Sequence, residues 1–206
     1  MAQRSRKSLA DHYFSEHPVS KPRFGLIRTY LRGRFFEFLT ASGVFSKKRV
    51  DLGTRLLIES MVLPERGSVL DLGCGYGAVG VVAAVLNPCL RVFMVDVNER
   101  ALWLAKKNAK RNGVANVAFG RGFLYKPVND LRFEAILSNP PVSAGMKIIY
   151  PIIEQTPLHL VGGGVFQMVV RSKIGGKRLM QKLEEAFGNV EILSRQSGYR
   201  VLVSKT

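Results

Sequence analysis

The sequence predicts an α/β fold built on a doubly wound, mostly parallel sheet of seven strands. From Ser68 onward, short apolar segments with strand character alternate with segments of helical periodicity. Such alternation indicates a parallel sheet that is covered by helices on both faces. The last two strand segments are separated only by a short turn at Gly198. They must therefore run antiparallel, because parallel neighbours need a long crossover.

The elements follow one another in a regular order. Strand-length segments at 24–31 and 34–40 flank Arg32-Gly33 and predict a small basic β hairpin, and a helix follows from Asp51 to Met61. The remaining predicted strands are 69–71, 91–96, 117–119, 135–137, 165–170, 190–193 and 199–204. The helices predicted between them are 78–86, 99–112, 147–160 and 176–187. This is a Rossmann-like arrangement with an antiparallel C-terminal hairpin and an N-terminal β extension.

Composition narrows the class of protein. A chain of 206 residues is long enough for one domain with a real core, and 47% hydrophobic with 22% charged residues is ordinary for a globular protein. No apolar run approaches the ~20 residues that span a bilayer, and the first residues lack the apolar core of a signal peptide. Cys74 and Cys89 suggest neither a disulfide framework nor a metal site. We therefore expect a cytoplasmic protein without a metal.

The charge of the chain is strongly basic and unevenly distributed. The net charge is +16, and residues 1–50 hold 11 Lys and Arg against 3 Asp and Glu. Basic residues in that region alternate with aromatic ones, which suits phosphate contacts combined with base stacking. A nucleic-acid partner is therefore expected. A solubilising surface charge is the alternative interpretation.

A glycine-rich loop follows the first strand of the sheet. Asp71 ends that strand, and Gly73, Gly75 and Gly77 follow it, so a ligand can lie against the backbone. Asp96 ends the next strand, where a carboxylate can accept hydrogen bonds from two ribose hydroxyls. The spacing fits both a nicotinamide dinucleotide and S-adenosylmethionine (SAM). The Asp71 carboxylate would repel a pyrophosphate, whereas SAM carries an ammonium and a sulfonium, so SAM is favoured.

A second motif, Asn139-Pro140-Pro141, follows the fourth strand of the alternating region. A base or amide NH₂ is a poor nucleophile, because its lone pair is delocalised. If the Asn139 side-chain oxygen and the Pro140 carbonyl each accept one amine hydrogen, the nitrogen can pyramidalise towards a methyl group. Both hydrogen bonds strengthen as positive charge develops on the nitrogen. The prolines restrict φ and fix the carbonyl. A plain turn after a strand is the alternative interpretation.

Together, the two motifs resemble those of class I SAM-dependent methyltransferases that act on an exocyclic or amide nitrogen. The chain is also similar over nearly its whole length to the ribosomal RNA guanine-N2 methyltransferase family. The similar segments are His12-Tyr-Phe-Ser, Leu31-Arg-Gly-Arg, Gly43-Val-Phe-Ser with Asp51-Leu-Gly-Thr, Asn139-Pro-Pro-Val-Ser-Ala-Gly-Met-Lys, and Ser197-Gly-Tyr-Arg-Val-Leu. The chain resembles the catalytic half of the longer bacterial members, and we expect it to lack their extra N-terminal domain. DNA adenine and protein glutamine methyltransferases usually carry an aromatic residue after the prolines, where this chain has Val142.

The resemblance implies a set of cofactor contacts. They are Phe45, Asp51, Thr54, Asp71, Gly73, Cys74, Gly75, Gly77, Asp96, Val97, Asn98, Gly122, Phe123 and Asn139. Phe45, Asp51 and Thr54 would line the methionine end of SAM. Val97 and Asn98 would lie at the adenine edge. The acid that usually follows the third strand is absent, so Phe123 or the backbone would contact the adenine.

The expected function is SAM-dependent methylation of an exocyclic base amine in RNA, with guanine N2 of ribosomal RNA as the target. Asn139, Pro140 and Pro141 would be the catalytic residues. A base buried in a duplex cannot reach the methyl group, so the target would be single-stranded, looped or flipped out. The alternatives are a protein glutamine methyltransferase, a DNA adenine-N6 methyltransferase and a non-catalytic RNA-binding protein.

Two domains are expected from the distribution of charge and motifs. Residues 1–50 would form an RNA-gripping extension, and residues 51–206 would form the methyltransferase domain. The basic residues expected to hold RNA phosphates are Arg28, Arg32, Arg34, Lys47, Lys48, Arg49 and Lys147.

Overall fold

The structure is a computed structural model that describes residues 21–141 and 145–206. The segment His12-Tyr-Phe-Ser, the first 20 residues of the expected RNA-gripping extension and Val142 lie outside the described residues. The strands are β1 (Phe24–Leu31), β2 (Arg34–Ala41), β3 (Gly67–Leu72), β4 (Leu90–Asp96), β5 (Val117–Arg121), β6 (Phe133–Ser138), β7 (Leu160–Arg171), β8 (Glu191–Gln196) and β9 (Tyr199–Lys205). The α-helices are α1 (Leu52–Ser60), α2 (Ala78–Leu86), α3 (Glu99–Arg111), α4 (Met146–Gln155) and α5 (Gly176–Phe187).

The predicted fold is confirmed. Seven strands form one sheet in the order β5-β4-β3-β6-β7-β9-β8. The first five of these strands run parallel to one another, whereas β9 pairs antiparallel with both β7 and β8. The chain starts at the centre with β3, moves outward to β5, and then returns to β6 beside β3, so β3 and β6 flank the point where the direction changes. In open α/β sheets, ligands bind at the carboxyl ends of the strands at this point.

The two faces of the sheet are covered by different helices. One buried cluster joins the strands to α1, α2 and α3. The second buried cluster joins the opposite face to α4 and α5. The predicted helix 147–160 is α4 followed by a short 3-10 turn over Thr156–His159, where Pro157 interrupts the α-helical hydrogen bonds. Of the described residues, none belongs to a helix that is both long and apolar enough to cross a membrane.

The N-terminal hairpin packs onto the rest of the chain rather than standing apart from it. Its inward side chains, which include Phe36 and Phe38, belong to the same buried cluster as α1, α2 and α3. The Asn108 side chain of α3 hydrogen-bonds to the backbone N–H and C=O of Leu39, at 2.7 and 2.9 Å. Asn112 does the same for Glu37. These two amides take the place of a neighbouring strand along the outer edge of β2.

Candidate active site

The carboxyl ends of β3, β4 and β6 open onto a cavity of about 820 Å³. The glycine loop after β3, the start of the β4–α3 connection, the Asn-Pro-Pro segment after β6 and the first turn of α1 contribute to its wall. The predicted residues that line it are Phe45, Asp51, Thr54, Asp71, Gly73, Cys74, Gly75, Asp96, Val97, Gly122, Phe123, Asn139, Pro140 and Pro141. Gly77 and Asn98 are the predicted cofactor residues that lie outside this wall.

The glycine loop is held against the end of β4. The N–H groups of Gly73 and Cys74 both donate to the carbonyl of Val95, at 2.9 and 3.0 Å. Gly73 and Gly75 have φ angles of 75° and 56°, in the left-handed region that favours glycine. A Cβ atom added at either position would meet no atom within 4 Å. The conformation of the loop, rather than lack of space, therefore accounts for these two glycines.

Gly77 has a packing role. A Cβ atom at this position would lie 3.0 Å from the Ala105 Cβ atom, so the glycine allows α2 and α3 to approach each other closely. Asn98 also has a structural role. Its buried side chain accepts the N–H of Ala101 at the start of α3 and donates to the carbonyl of Gly43. The residue sequence Asp-Val-Asn before a helix could have identified this N-cap.

Two carboxylates, those of Asp71 and Asp96, line the cavity beside the glycine loop. Asp71 is 2% exposed, and its Oδ2 atom accepts the N–H of Gly80 at 2.8 Å. Burial is the main cause that raises the pKa of Asp71 to about 7; the Gly80 hydrogen bond acts against this rise and the charge of Asp96 contributes to it. Burial also raises the pKa of Asp96, although the N–H groups of Gly75 and Asn98 each donate to its side chain at 2.8 Å. No salt bridge joins either carboxylate to a basic residue within the described ranges.

Asn139 is held in one orientation by the start of α1. Its Nδ2 atom donates to Thr54 Oγ1 at 2.8 Å and to Asp51 Oδ2 at 3.2 Å. The same Asp51 oxygen accepts the N–H of Thr54 at 3.0 Å and caps the helix. Turning the amide over would place its oxygen against a carboxylate. The Asn139 Oδ1 atom is therefore kept as the acceptor that remains for a ligand.

The predicted RNA-binding residues fall into separate groups. Lys47, Lys48 and Arg49 belong to the segment between Phe45 and Asp51, and both of these end residues line the cavity. Lys147 is exposed in the first turn of α4.

The hairpin arginines lie elsewhere. Arg28 pairs with Glu37, with 2.7 Å between its Nε atom and the carboxylate. The Arg32 guanidinium donates to the carbonyls of Glu59 and Met61 at the end of α1. That end is roughly 13 Å from the Asp51 end, as nine helical residues require. Arg34 occupies the same hairpin tip, so this group does not border the cavity mouth.

The cavity wall also includes residues outside the predicted cofactor set and outside Asn139, Pro140 and Pro141, the predicted amine clamp. They are Val44, Leu72, Tyr76, Ala78, Val79, Val95, Ala101, Leu124, Ser138, Ile148, Ile152, Arg171, Ile174 and Tyr199. Arg171 ends β7 and Tyr199 begins β9, and the two are register partners. The pairing of β7 with β9 was not predicted, because sequence patterns indicate strands but not distant strand partners. The similarity of Ser197-Gly-Tyr-Arg-Val-Leu to a known family was the available indication for Tyr199.

A model of the Methyltransferase small domain family matches residues 36–203. The chain belongs to this family. It is 40% identical over 199 residues to the uncharacterized protein YbxB of Bacillus subtilis, covering 96% of this chain and 99% of that protein. It is 34% identical over 171 residues to ribosomal RNA small subunit methyltransferase C of Aeromonas hydrophila, covering 81% of this chain and 48% of that protein.

A solved structure extends the similarity to three dimensions. The Thermus thermophilus 16S rRNA N2 G1207 methyltransferase in complex with AdoMet and guanosine matches with a TM-score of 0.80 and 26% identity, over 91% of this chain and 52% of that chain. The chain thus spans about half the length of the ribosomal RNA methyltransferases it matches. At the level of the family, the prediction of a SAM-dependent methyltransferase is confirmed.

The residues at the cavity fit SAM. The cofactor carries an ammonium and a sulfonium, and the buried carboxylates of Asp71 and Asp96 have no basic partner in the part of the chain that the structure describes. A cationic ligand would offset the cost of burying these charges, whereas the phosphates of a dinucleotide would increase it. Phe45 and Phe123, which are 39% and 43% exposed, supply aromatic rings at the cavity wall.

Proposed function

We propose that this chain transfers a methyl group from SAM to an exocyclic amine of an RNA base, and that the base is a guanine of ribosomal RNA methylated at N2. The observation that carries the proposal is the orientation of Asn139. Asp51 and Thr54 hold its amide nitrogen, which leaves its oxygen as an acceptor in a cavity that also contains two buried carboxylates. We place the reaction in the cytoplasm, where ribosomal RNA is found.

The cofactor portion of the site orients the donor. SAM, when bound, supplies a methyl group on a positively charged sulfur. We propose that Asp71 holds the ammonium and that Asp96 accepts hydrogen bonds from the ribose hydroxyls. Val97, Gly122 and Phe123 line the cavity and would border the adenine. Backbone N–H groups already fix the Asp96 carboxylate, so no rearrangement is needed to present it.

The Asn-Pro-Pro segment orients the acceptor. The Asn139 Oδ1 atom and the Pro140 carbonyl would each accept one hydrogen of the NH₂ group. The nitrogen lone pair then leaves conjugation with the base and points towards the methyl carbon. The nitrogen–carbon bond forms as the sulfur–carbon bond breaks, and the extra proton then leaves the nitrogen to water. Both acceptors stabilise the charge on nitrogen more strongly in the transition state than in the ground state. No strong base is required, because the departing thioether is neutral.

The choice of guanine in ribosomal RNA is supported by the relatives and by charge. The Aeromonas hydrophila relative is named a ribosomal RNA methyltransferase, and the similar Thermus thermophilus structure is that of a 16S rRNA N2 G1207 methyltransferase. The net charge of +16 favours a nucleic-acid partner over a protein amide.

Labelled SAM tests this proposal directly. The chain is incubated with labelled SAM and, separately, with total RNA, DNA and protein from cells that lack the corresponding gene, and the labelled RNA is digested to nucleosides. We expect N2-methylguanosine. Asn139→Ala should abolish transfer while calorimetry shows unchanged SAM binding. Label in protein glutamine or DNA adenine would identify one of the alternative functions, and full activity of Asn139→Ala would refute the clamp.

Phosphate contacts near the cavity can be tested by salt dependence. We propose that Lys47, Lys48 and Arg49 hold the RNA backbone near the cavity, and that Arg34 at the hairpin tip extends this surface. Changing the first three residues to glutamine should lower the slope of log K against log salt by about 2, as three contacts on a single strand predict, and Arg34→Gln should lower it by about 0.7. Lys205→Gln is the matched control, because Lys205 is exposed at the end of β9 that lies away from the cavity. An unchanged slope for the triple variant would show that these three residues do not contact RNA phosphates.

The division into an RNA-gripping extension, residues 1–50, and a methyltransferase domain, residues 51–206, stays a proposal. The shared buried cluster shows that the hairpin packs against α1, α2 and α3. The family match begins at residue 36, within the hairpin.

A further inference from the structure

Arg171 and Tyr199 form a pair on the cavity wall that takes part in neither the proposed cofactor site nor the amine clamp. The Arg171 Nε atom donates to the Tyr199 hydroxyl at 3.0 Å, and its guanidinium carbon lies 5.3 Å from the centre of the Tyr199 ring. Arg171 is exposed and Tyr199 is half-buried, so both can meet a ligand. Within the described residues, the Tyr199 hydroxyl is the hydrogen-bond partner of Arg171, which leaves the other guanidinium N–H groups available.

A chain of short distances links Tyr199 to the amine clamp. A Cβ atom built at Gly53 would lie 2.9 Å from Tyr199 Cε1 and 3.1 Å from Asp51 Oδ2. The same Asp51 oxygen is 3.2 Å from the Asn139 amide nitrogen. The ring and the clamp are therefore neighbours, separated by the first turn of α1. A glycine at position 53 is what allows the ring to come this close.

The surroundings of the pair suit a flat ligand with an acceptor on its rim. Ile148, Ile174 and Pro141 supply apolar surface on the same cavity wall. Aromatic rings and guanidinium planes are the side chains on which unstacked bases lie. A guanidinium that keeps spare donors pairs with the O6 and N7 acceptors of guanine, whereas adenine presents an amine in place of O6.

We propose that Tyr199 is the ring against which the acceptor base lies, and that Arg171 recognises the acceptor edge of that base and so selects guanine over adenine. The inference rests on the proposed function, because it names the acceptor subsite of the same cavity. Tyr199 contributes affinity through stacking. Arg171 contributes specificity, because it leaves a donor unpaired when adenine is present.

Nucleoside binding tests the subsite without a methyl-transfer assay. The probe is 2-aminopurine riboside, which carries the exocyclic amine of guanine but lacks O6, and whose fluorescence changes when it stacks. It is titrated into the full chain in the presence of S-adenosylhomocysteine, the product of the cofactor. Competition with guanosine and adenosine then gives the preference between the two bases. The variants are Tyr199→Leu, Tyr199→Phe and Arg171→Gln, each checked by thermal unfolding.

The subsite predicts a different result for each variant. Tyr199→Leu should weaken binding of the probe at least about ten-fold, whereas Tyr199→Phe should keep most of it, because stacking requires the ring and not the hydroxyl. Arg171→Gln should still bind the probe, which lacks O6, but reduce the preference for guanosine about ten-fold. Calorimetric affinity for SAM should be unchanged in all three variants.

Several outcomes would overturn the inference. These are no binding of the probe by the unchanged chain at millimolar concentration, unchanged binding by Tyr199→Leu, an unchanged preference in Arg171→Gln, or an equal loss of SAM affinity. Failure of the proposed function is a separate result. In that case the unchanged chain yields no methylated RNA base, whether or not these nucleosides bind as described.

Discussion

Replacing Asp71 with asparagine should stabilise the chain in the absence of SAM. The unfolded carboxyl has its ordinary pKa near 3.8, and burial raises the pKa of Asp71 to about 7 in the folded chain. A raised pKa means that ionisation opposes folding, so the cost is absent well below the unfolded pKa, grows as pH rises and is complete above pH 7. The shift corresponds to about 4 kcal/mol. Asparagine keeps an oxygen for the Gly80 N–H but carries no charge.

The measurement is chemical unfolding of both proteins at pH 4.5 and pH 8, without cofactor. At pH 8, Asp71→Asn should raise the free energy of unfolding by as much as about 4 kcal/mol, and at pH 4.5 the difference should fall to about 1 kcal/mol. Asp130→Asn, which changes an exposed carboxyl, is the matched control and should alter neither value. Equal stabilities at pH 8 would refute the assignment of a buried charge to Asp71.

The affinity for SAM should rise with pH, whereas the stability of the cofactor-free chain falls. If the proposed ammonium contact requires ionised Asp71, SAM should bind about 25-fold more weakly at pH 5.5 than at pH 7.5, as the ionised fractions of a group with pKa 7 dictate. Asp71→Asn should bind SAM weakly at both pH values and lose this dependence. A variant that is more stable yet binds less cofactor would separate the two roles of the carboxylate. Retained tight binding would show that the ammonium lies elsewhere.

Three further substitutions probe other parts of the site and its support. Thr54→Val should lower kcat at saturating SAM about five- to ten-fold, because the Asn139 amide is then less fixed, whereas Thr54→Ser should keep most of the activity. Equal kcat values for Thr54→Val and the unchanged chain would contradict this role. Gly80→Ala should lower the free energy of unfolding by about 1–3 kcal/mol, because its Cβ atom would lie 2.7 Å from the Met94 Cγ atom; no loss in denaturant unfolding would show that Met94 can move aside. Asn108→Ala should cost at least about 2 kcal/mol and increase hydrogen exchange in β2, because backbone groups lose their partners; unchanged exchange would show that the hairpin does not depend on this amide.

The parallel part of the fold was predictable because local patterns determine it. Gly77 and Pro88 bracket α2, and the observed helix, Ala78–Leu86, has the predicted bounds. The same holds for α5, which ends at Phe187 before Gly188. Strand termini were less predictable, because β7 starts at Leu160, five residues before the predicted strand. Its first residues are rich in glycine, and tertiary pairing rather than propensity extends the strand.

The candidate site was predictable where one segment carries both the residue and its geometry. The glycine loop and Asn-Pro-Pro meet at one cavity because the carboxyl ends of parallel neighbouring strands share an edge. Asn98 follows Asp96 directly, yet its side chain caps α3, and adjacency in sequence does not tell which way a side chain points. The hairpin arginines could not be placed, because their distance from the cavity depends on how the hairpin docks on α1 and α3.

The clamp depends on a helix that lies outside the alternating part of the chain. Asn139 follows β6, but Asp51 and Thr54 of the α1 segment fix its amide. The far end of α1 is in turn anchored by the buried side chain of Gln167, which hydrogen-bonds to the N–H and C=O of Val62 at 2.9 and 2.7 Å.

The hairpin completes this arrangement, because Arg32 donates to the carbonyls at the end of α1 while its neighbours pack into the core. A disturbance of the hairpin can therefore reach the Asn139 amide through α1 without touching the sheet. Charge reversal at Arg32 would disturb the fold as well as RNA binding. Arg34 lies at the same tip with an exposed side chain, so charge reversal there chiefly changes the surface charge. Loss of activity by Arg32→Glu with normal activity in Arg34→Glu would accordingly point to the position of α1 rather than to phosphate contacts.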